Sequence, residues 1–168
     1  MSPSSFVYRR TVRFHDTDAA GVVYFAHVLS MCHESYEASL IAAGIDLKTF
    51  FSCEFALPIV HADINYMQPM FCGEDYLISV TPVLLSPDKF ENRYQITAAP
   101  DLAPPDIESA TSPVAPLPTE KFVAQATTLH LCIDTKTRKR RALPAEVRHW
   151  LEHIPSNLDI LAQNSTVR

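Results

Sequence analysis

Hydrophobic positions change period twice along the chain. Phe6 to Phe14 carries the β-branched and aromatic residues of a strand, among them Val7, Tyr8, Thr11 and Val12. Asp16, Asp18 and Gly21 then mark an acidic turn, beyond which a spacing of four takes over. Tyr24, Val28, Cys32, Tyr36 and Leu40 form one stripe, and Phe25, Leu29, His33 and Glu37 form the next, apolar at its start and polar lower down. This spacing predicts a helix over Val23–Ala43, closed by Gly44 as a left-handed cap. A helix apolar around most of its circumference needs a sheet or a partner subunit to wrap it. Asp46–Phe51 reads as a short extra turn.

From Phe55 the period drops to two. Strands are predicted over Phe55–Tyr66, Asp75–Leu85, Phe90–Ala99 and Lys121–Asp134. Pro58 restricts the start of the first of these to an edge or an irregular entry. Pro69 with Gly73, and Ser86–Lys89, supply turns. Six prolines between Pro100 and Pro118 describe an exposed insertion between strands, read as a tolerated loop. After Pro144 a short helix over Ala145–His153 leads into a terminal tail, residues 143–168 together. Residues 1–168 are therefore expected to form a single α+β domain, an antiparallel sheet curled around one long central helix. Such a sheet leaves an edge strand, and edge pairing makes a dimer a natural consequence.

Composition narrows the partners. A net charge of −5 argues against nucleic acid, which needs a basic face. Apolar residues at 47% and charged residues at 20% describe an ordinary globular protein. Met1–Ser5 lacks the features of a signal peptide and no apolar run is long enough to span a bilayer, so a cytoplasmic protein is expected. Cys32, Cys53, Cys72 and Cys132 are scattered, with no C-x-x-C pair, and read as reduced thiols used as small apolar side chains. Three glycines in the whole chain leave no nucleotide-cradling loop. The basic run Lys136–Arg141 reads as a solvated turn, or as a hold for the phosphates of a ligand.

Candidate chemistry centres on the acidic turn. Asp18 stands nearest the glycine and is a candidate nucleophile or general base. Gly21 permits close approach of a ligand, and the backbone N–H groups of Val23 to Phe25 are the unpaired donors of a helix N-terminus, able to polarise a carbonyl oxygen. The competing reading is that Asp16 or Asp18 simply caps the helix. His33 and Glu37 lie one turn apart and form either an acid–base pair or a helix-stabilising contact. His61 is read as a hydrogen-bonded core histidine in preference to a pocket residue. His149 and His153 lack a third ligand of suitable spacing and read as a solvated face, so neither metal nor cofactor is expected.

Asp16-Thr17-Asp18-Ala19-Ala20-Gly21-Val22-Val23-Tyr24-Phe25 resembles the D-x-D-x-x-G-x-V-x-[FY] signature of the 4-hydroxybenzoyl-CoA thioesterase branch of the hot-dog proteins. Tyr66-Met67-Gln68-Pro69 with Gly73-Glu74-Asp75 resembles that family's strand–turn–strand signature. Val22–Phe25, Met31–Glu37 and Phe55–Ala62 are similar to the cyanobacterial 1,4-dihydroxy-2-naphthoyl-CoA hydrolases of phylloquinone biosynthesis. The resemblance implies a hot-dog fold and hydrolysis of an aromatic acyl-CoA, a small-molecule substrate bound across subunit interfaces. It implies a homotetramer built as a dimer of dimers. It places the catalytic carboxylate on Asp18 and the oxyanion donor on the backbone N–H of Phe25, with helical Glu37 in reserve. Two departures, Ala19 where the 4-hydroxybenzoyl enzymes have proline and His27 where many members have asparagine, bear on the acyl group. Rival readings are a fatty-acyl or acyl-carrier-protein thioesterase, and a hot-dog protein that binds acyl-CoA without hydrolysing it. Tyr24, Phe25, Tyr36 and Phe55 are candidates to line a flat acyl pocket, or ordinary core residues.

Overall fold

Alternation along the strands sorts their side chains onto two faces. The computed structural model describes residues 5–50, 54–100 and 121–155. It contains β1 (Phe6–Thr11), β2 (Phe55–Ala56), β3 (Ile59–Tyr66), β4 (Asp75–Ser86), β5 (Lys89–Ala98), β6 (Phe122–Leu131) and β7 (Ile133–Asp134). Five of these form one antiparallel sheet in the order β1-β4-β5-β6-β3. Tyr76, Ile78 and Val80 of β4 point inward with Phe90, Tyr94 and Ile96 of β5, and this face cups the helix α1 (Phe25–Ala42). The hot-dog arrangement expected from the sequence is present.

The helix buries Val28, Cys32, Tyr36 and Leu40, the stripe read from the sequence. Its second buried flank is not the one the spacing suggested. Met31, Ser35 and Ser39 are inside, while Phe25 is 61% exposed and His33 faces solvent. Small side chains let the helix approach the sheet closely. Their hydroxyls are satisfied within the helix, Ser35 Oγ donating to the Cys32 carbonyl (2.8 Å) and Ser39 Oγ to that of Tyr36 (2.7 Å). Gly44, at φ 83°, ends the helix, and the Ile45 N–H returns to the Leu40 carbonyl at 3.1 Å. α2 (Leu47–Phe50) follows as the expected extra turn.

Two predicted strands prove to be broken. Phe55–Tyr66 divides at Leu57-Pro58 into β2 and β3, and Lys121–Asp134 divides at Cys132 into β6 and β7. β2 and β7 then pair with each other as a separate ribbon. Proline has no N–H for a ladder, and the Pro58 carbonyl instead takes the Leu131 N–H at 3.2 Å. Both chains thus leave the main sheet at one place. The eight-residue β3 is left at the sheet edge, with every residue but Ile64 exposed.

α3 (Ala145–Glu152) realises the predicted C-terminal helix, burying Val147 and Trp150. The Trp150 indole N–H reaches Ser39 Oγ at 3.2 Å, and its ring lies 5.4 Å from Tyr36 and 5.7 Å from Phe90. Of the cysteines, Cys32 and Cys132 are buried as expected, but Cys72 is exposed on a turn. Cys53, the Pro100–Pro118 stretch apart from Pro100, and the tail beyond Pro155 lie outside the described residues.

The core histidine is His130, not His61. His61 is exposed on β3 because that strand has no covering layer. His130 is 1% exposed on β6, stacked on Phe90 (4.6 Å between rings) and bonded through Nε2 to Thr128 Oγ1 at 2.9 Å. Burial pushes its pKa from 6.5 down to about 4, against a smaller opposing contact from the Leu57 backbone. Because the unfolded chain binds this proton first, stability should fall as pH drops from about 6.5 towards 4, by at most roughly 3 kcal/mol. Urea melts across that range should show the loss, and His130→Gln should flatten it.

Candidate active site

β1 carries Arg10 onto the inner side of the sheet, where a guanidinium needs partners. It finds two. Arg10 grips both carboxylate oxygens of the buried Asp16, Nη1 on Oδ2 and Nη2 on Oδ1 (3.0 Å for the latter). It also forks onto Glu34 of α1 at 3.1 and 3.2 Å. The Arg13 N–H adds a third donor to Asp16, at 2.7 Å. Burial opposes ionisation of Asp16, but the Arg10 and Arg13 hydrogen bonds outweigh it and hold the carboxyl below its usual value. Its backbone carbonyl is used as well, accepting from the Tyr24 N–H (2.8 Å) and facing His27 Nδ1 (3.0 Å). Asp16 is therefore a structural tie between β1, the acidic turn and the start of α1.

Asp18 is treated differently by the same turn. The Asp18 N–H donates to the Val22 carbonyl (2.9 Å) and its own carbonyl accepts from Gly21 (3.0 Å). Gly21 sits at φ 76°, a left-handed conformation in which a β-carbon is strained. Thr17 bridges to Val23 just beyond, so the chain doubles back tightly and α1 begins three residues after Val22. The Asp18 carboxylate is exposed, and its one hydrogen bond among the described residues comes from the Ala20 N–H at 2.8 Å. No cation holds it.

Neither aspartate caps α1, which disposes of that alternative. Tyr24 is the N-cap, without a side-chain bond, and the N–H groups of Phe25 and Ala26 pair with no acceptor among the described residues. These donors carry the positive end of an eighteen-residue helix. Beside them lies an open, mainly apolar depression of about 330 Å³, walled by Val22, Val23, Val28, Tyr66, Met67 and Met70. Tyr66 Oη donates to the Phe25 carbonyl at 2.7 Å and so ties the sheet edge to the helix mouth. Sequence reasoning missed Arg10, and gave Tyr66 no role beyond its place in the strand–turn–strand signature. Arg10 had a signal, a charge at an inward position of β1 two residues beyond Tyr8.

The four candidate pocket aromatics are not brought together. Tyr24 and Phe25 stand at the helix mouth, exposed, with ring centroids 4.6 Å apart. Tyr36 and Phe55 are buried and line a different cavity. His33 Nε2 meets Glu37 Oε1 at 3.3 Å, eight residues or about 12 Å along the helix from Phe25. His149 and His153 stack at 4.5 Å on an exposed face, and no group of metal-ligating side chains occurs among the described residues. The basic run forms an exposed turn with ion pairs from Lys136 to Glu54, Arg140 to Asp88 and Arg141 to Asp134. No helix among the described residues is long and apolar enough to cross a membrane.

The thioesterase-like superfamily model matches residues 12–151, from the end of β1 to α3, and the chain belongs to that superfamily. Among its relatives, the 1,4-dihydroxy-2-naphthoyl-CoA hydrolase of Nostoc punctiforme is 47% identical over 149 residues, 88% of this chain and 87% of that one. The enzyme of the same name from Crocosphaera subtropica is 48% identical over 145 residues, 86% and 93% of the two chains. Among solved structures, the 1,4-dihydroxy-2-naphthoyl-CoA thioesterase from Synechocystis aligns with a TM-score of 0.74 at 34% identity, covering 88% of this chain and 96% of that one.

The two aspartates should separate in a stability measurement. Asp16→Asn leaves part of the buried Arg10 charge uncompensated and should cost about 3 kcal/mol in urea unfolding. Because the folded pKa of Asp16 is depressed, this stabilisation is present at neutral pH and should disappear as pH falls through that lowered value. Asp18→Asn should move the midpoint by no more than about 0.5 kcal/mol. A large loss in Asp18→Asn would mean that it too is structural.

Proposed function

We propose that this protein hydrolyses an aromatic acyl-CoA thioester, 1,4-dihydroxy-2-naphthoyl-CoA, to 1,4-dihydroxy-2-naphthoate and coenzyme A, as a step of phylloquinone biosynthesis. The observation that carries the reading is the acidic turn. Among the described residues it leaves the Asp18 carboxylate without a cation and delivers the unpaired N–H groups of the α1 N-terminus two residues beyond its closing bridge. In this reading the thioester carbonyl oxygen sits on the Phe25 N–H, where the helix dipole and a fixed donor favour the developing negative charge. Asp18 either attacks the carbonyl carbon, expelling thiolate and leaving a mixed anhydride for water to open, or takes a proton from an attacking water. Thiolate is a good leaving group and needs little help from a general acid. The apolar depression beside Val28, Tyr66 and Met70 receives the acyl ring.

Residues 1–168 act as one cytoplasmic domain that assembles into a homotetramer, a dimer of dimers. The support for assembly is β3, a full-length edge strand that exposes Ile59 (43%) and Val60 (50%) and one row of backbone groups. Pairing of two β3 strands about a two-fold axis would cover it.

Two experiments test these readings. Thiol release should be fastest with hydroxylated naphthoyl-CoA among aromatic and aliphatic substrates, and Asp18→Asn should lower kcat by about 10²–10⁴-fold. Glu37→Gln should leave turnover unchanged. Broad aliphatic turnover would favour the fatty-acyl reading, and tight acyl-CoA binding without release the non-catalytic one. For assembly, Val60→Lys combined with Ala62→Lys should shift sedimentation from tetramer to smaller species, whereas an unchanged profile would place the interface elsewhere.

A further inference from the structure

The main-chain oxygen of Asp16 is shared by two groups at the start of α1. It takes the Tyr24 N–H at 2.8 Å and faces Nδ1 of the His27 ring at 3.0 Å. A carbonyl oxygen has two lone pairs and no proton, so His27 Nδ1 carries the proton and donates it. In the neutral ring that leaves Nε2 without one. The imidazole is half-buried and stands edge-on to Tyr24, with 5.6 Å between ring centroids.

The main chain of His27 closes a circuit. Its N–H donates to the Tyr24 carbonyl at 2.9 Å, so Asp16, Tyr24 and His27 are joined in a ring by three hydrogen bonds. The Tyr24 carbonyl and the Phe25 N–H lie on opposite edges of one trans peptide plane. Holding the carbonyl therefore sets the direction of the N–H. The Phe25 carbonyl and the Ala26 N–H share the next plane, and there Tyr66 Oη holds the carbonyl at 2.7 Å. The two open donors are thus aimed from two sides, one from the acidic turn through His27 and one from the sheet edge through Tyr66. The first tie runs to the turn that carries Asp18, and the second does not.

A single bond from Tyr24 to the Asp16 oxygen lets the first turn of α1 swivel about it. A second bond converging on the same oxygen, from a residue three further along, removes that freedom. The imidazole supplies it. We propose that His27 is a positioning residue for the proposed hydrolysis. Its Nδ1–H, on the Asp16 carbonyl, fixes the Phe25 N–H relative to the Asp18 carboxylate. The role rests on that reading of the site, and the imidazole exchanges no proton with the substrate. Its contribution is orientation.

Amide side chains separate this role from a general need for a polar residue. The asparagine Nδ2 is attached to Cγ, like Nδ1 of histidine, whereas the glutamine amide sits one bond further out. With hydroxylated naphthoyl-CoA as substrate, His27→Leu should lower kcat about 10- to 100-fold and leave KM within about twofold, since a shift of about 1 Å at a reacting group costs about 10²-fold. His27→Asn should recover most of that loss and His27→Gln little of it, each variant being assayed where circular dichroism shows it folded. Should His27→Leu not fold, the order of Asn above Gln in kcat carries the test. Long-range 15N–1H NMR spectra of the wild type, recorded with the ring neutral and with the His27 signals identified by their loss in His27→Asn, should show the Nδ1-protonated tautomer. An Nε2-protonated ring, an unchanged kcat in His27→Leu, a loss confined to KM, or equal kcat in the Asn and Gln variants would each overturn the proposal. The spectra need no substrate, so the two failures are distinguishable. A wild type that turns over no acyl-CoA overturns the hydrolysis and the role of His27 in it, whereas the wrong tautomer in an active enzyme overturns the role alone.

Discussion

The buried ion pair between Arg10 and Asp16 sets the geometry of everything around the acidic turn. A guanidinium on the inner face of a sheet is tolerated only when its hydrogen-bonding capacity is matched, and here Asp16 and Glu34 match it from two directions. The pair fixes β1 against α1. The Asp16 backbone carbonyl then takes the Tyr24 N–H and fixes where the helix starts. One residue thus neutralises a charge with its side chain and positions a helix with its main chain. Asp16 absorbs the Arg10 cation, and Asp18, two residues on, has none among the described residues.

This division of labour explains how much could be read from the sequence. The helix, its stripe from Val28 to Leu40 and the order of strands follow from period and punctuation, which are local properties. The resemblance to the hot-dog thioesterases singled out Asp18 and Phe25, and the structure adds why the aspartates differ, through a strand arginine six residues before Asp16. The splits at Pro58 and Cys132 were not legible, since the alternation runs on through both positions and only the pairing of β2 with β7 pulls the chain out of the sheet. Likewise, no local pattern distinguishes His61 from His130. The first lies on an edge strand without a covering layer, and the second lies under α1.

Polar atoms in the interior follow the same logic of matched partners. Ser35 and Ser39 turn their hydroxyls back to helix carbonyls, Thr128 joins Tyr94 to His130, and Ser39 also receives the Trp150 indole. Of these bonds only Trp150–Ser39 leaves α1, tying it to α3, while the sheet side of the C-terminal half is held by the packing of Tyr36 on Phe90 and His130. At the N-terminal end of the helix the Asp16 carbonyl takes the Tyr24 N–H and faces His27 Nδ1, and the Tyr66 hydroxyl donates to the Phe25 carbonyl.

The clamp at the far end has an optical consequence. The chain contains a single tryptophan, and the fold seals it completely between α3, Ser39 and the rings of Tyr36 and Phe90. Its emission reports on one place in the molecule, the seat of α3 on the back of α1. Undocking of that helix exposes the indole to water and shifts the signal, whereas events confined to the mouth of α1 take place a helix length away. The protein therefore carries its own local probe, with no label to attach and no second tryptophan to subtract.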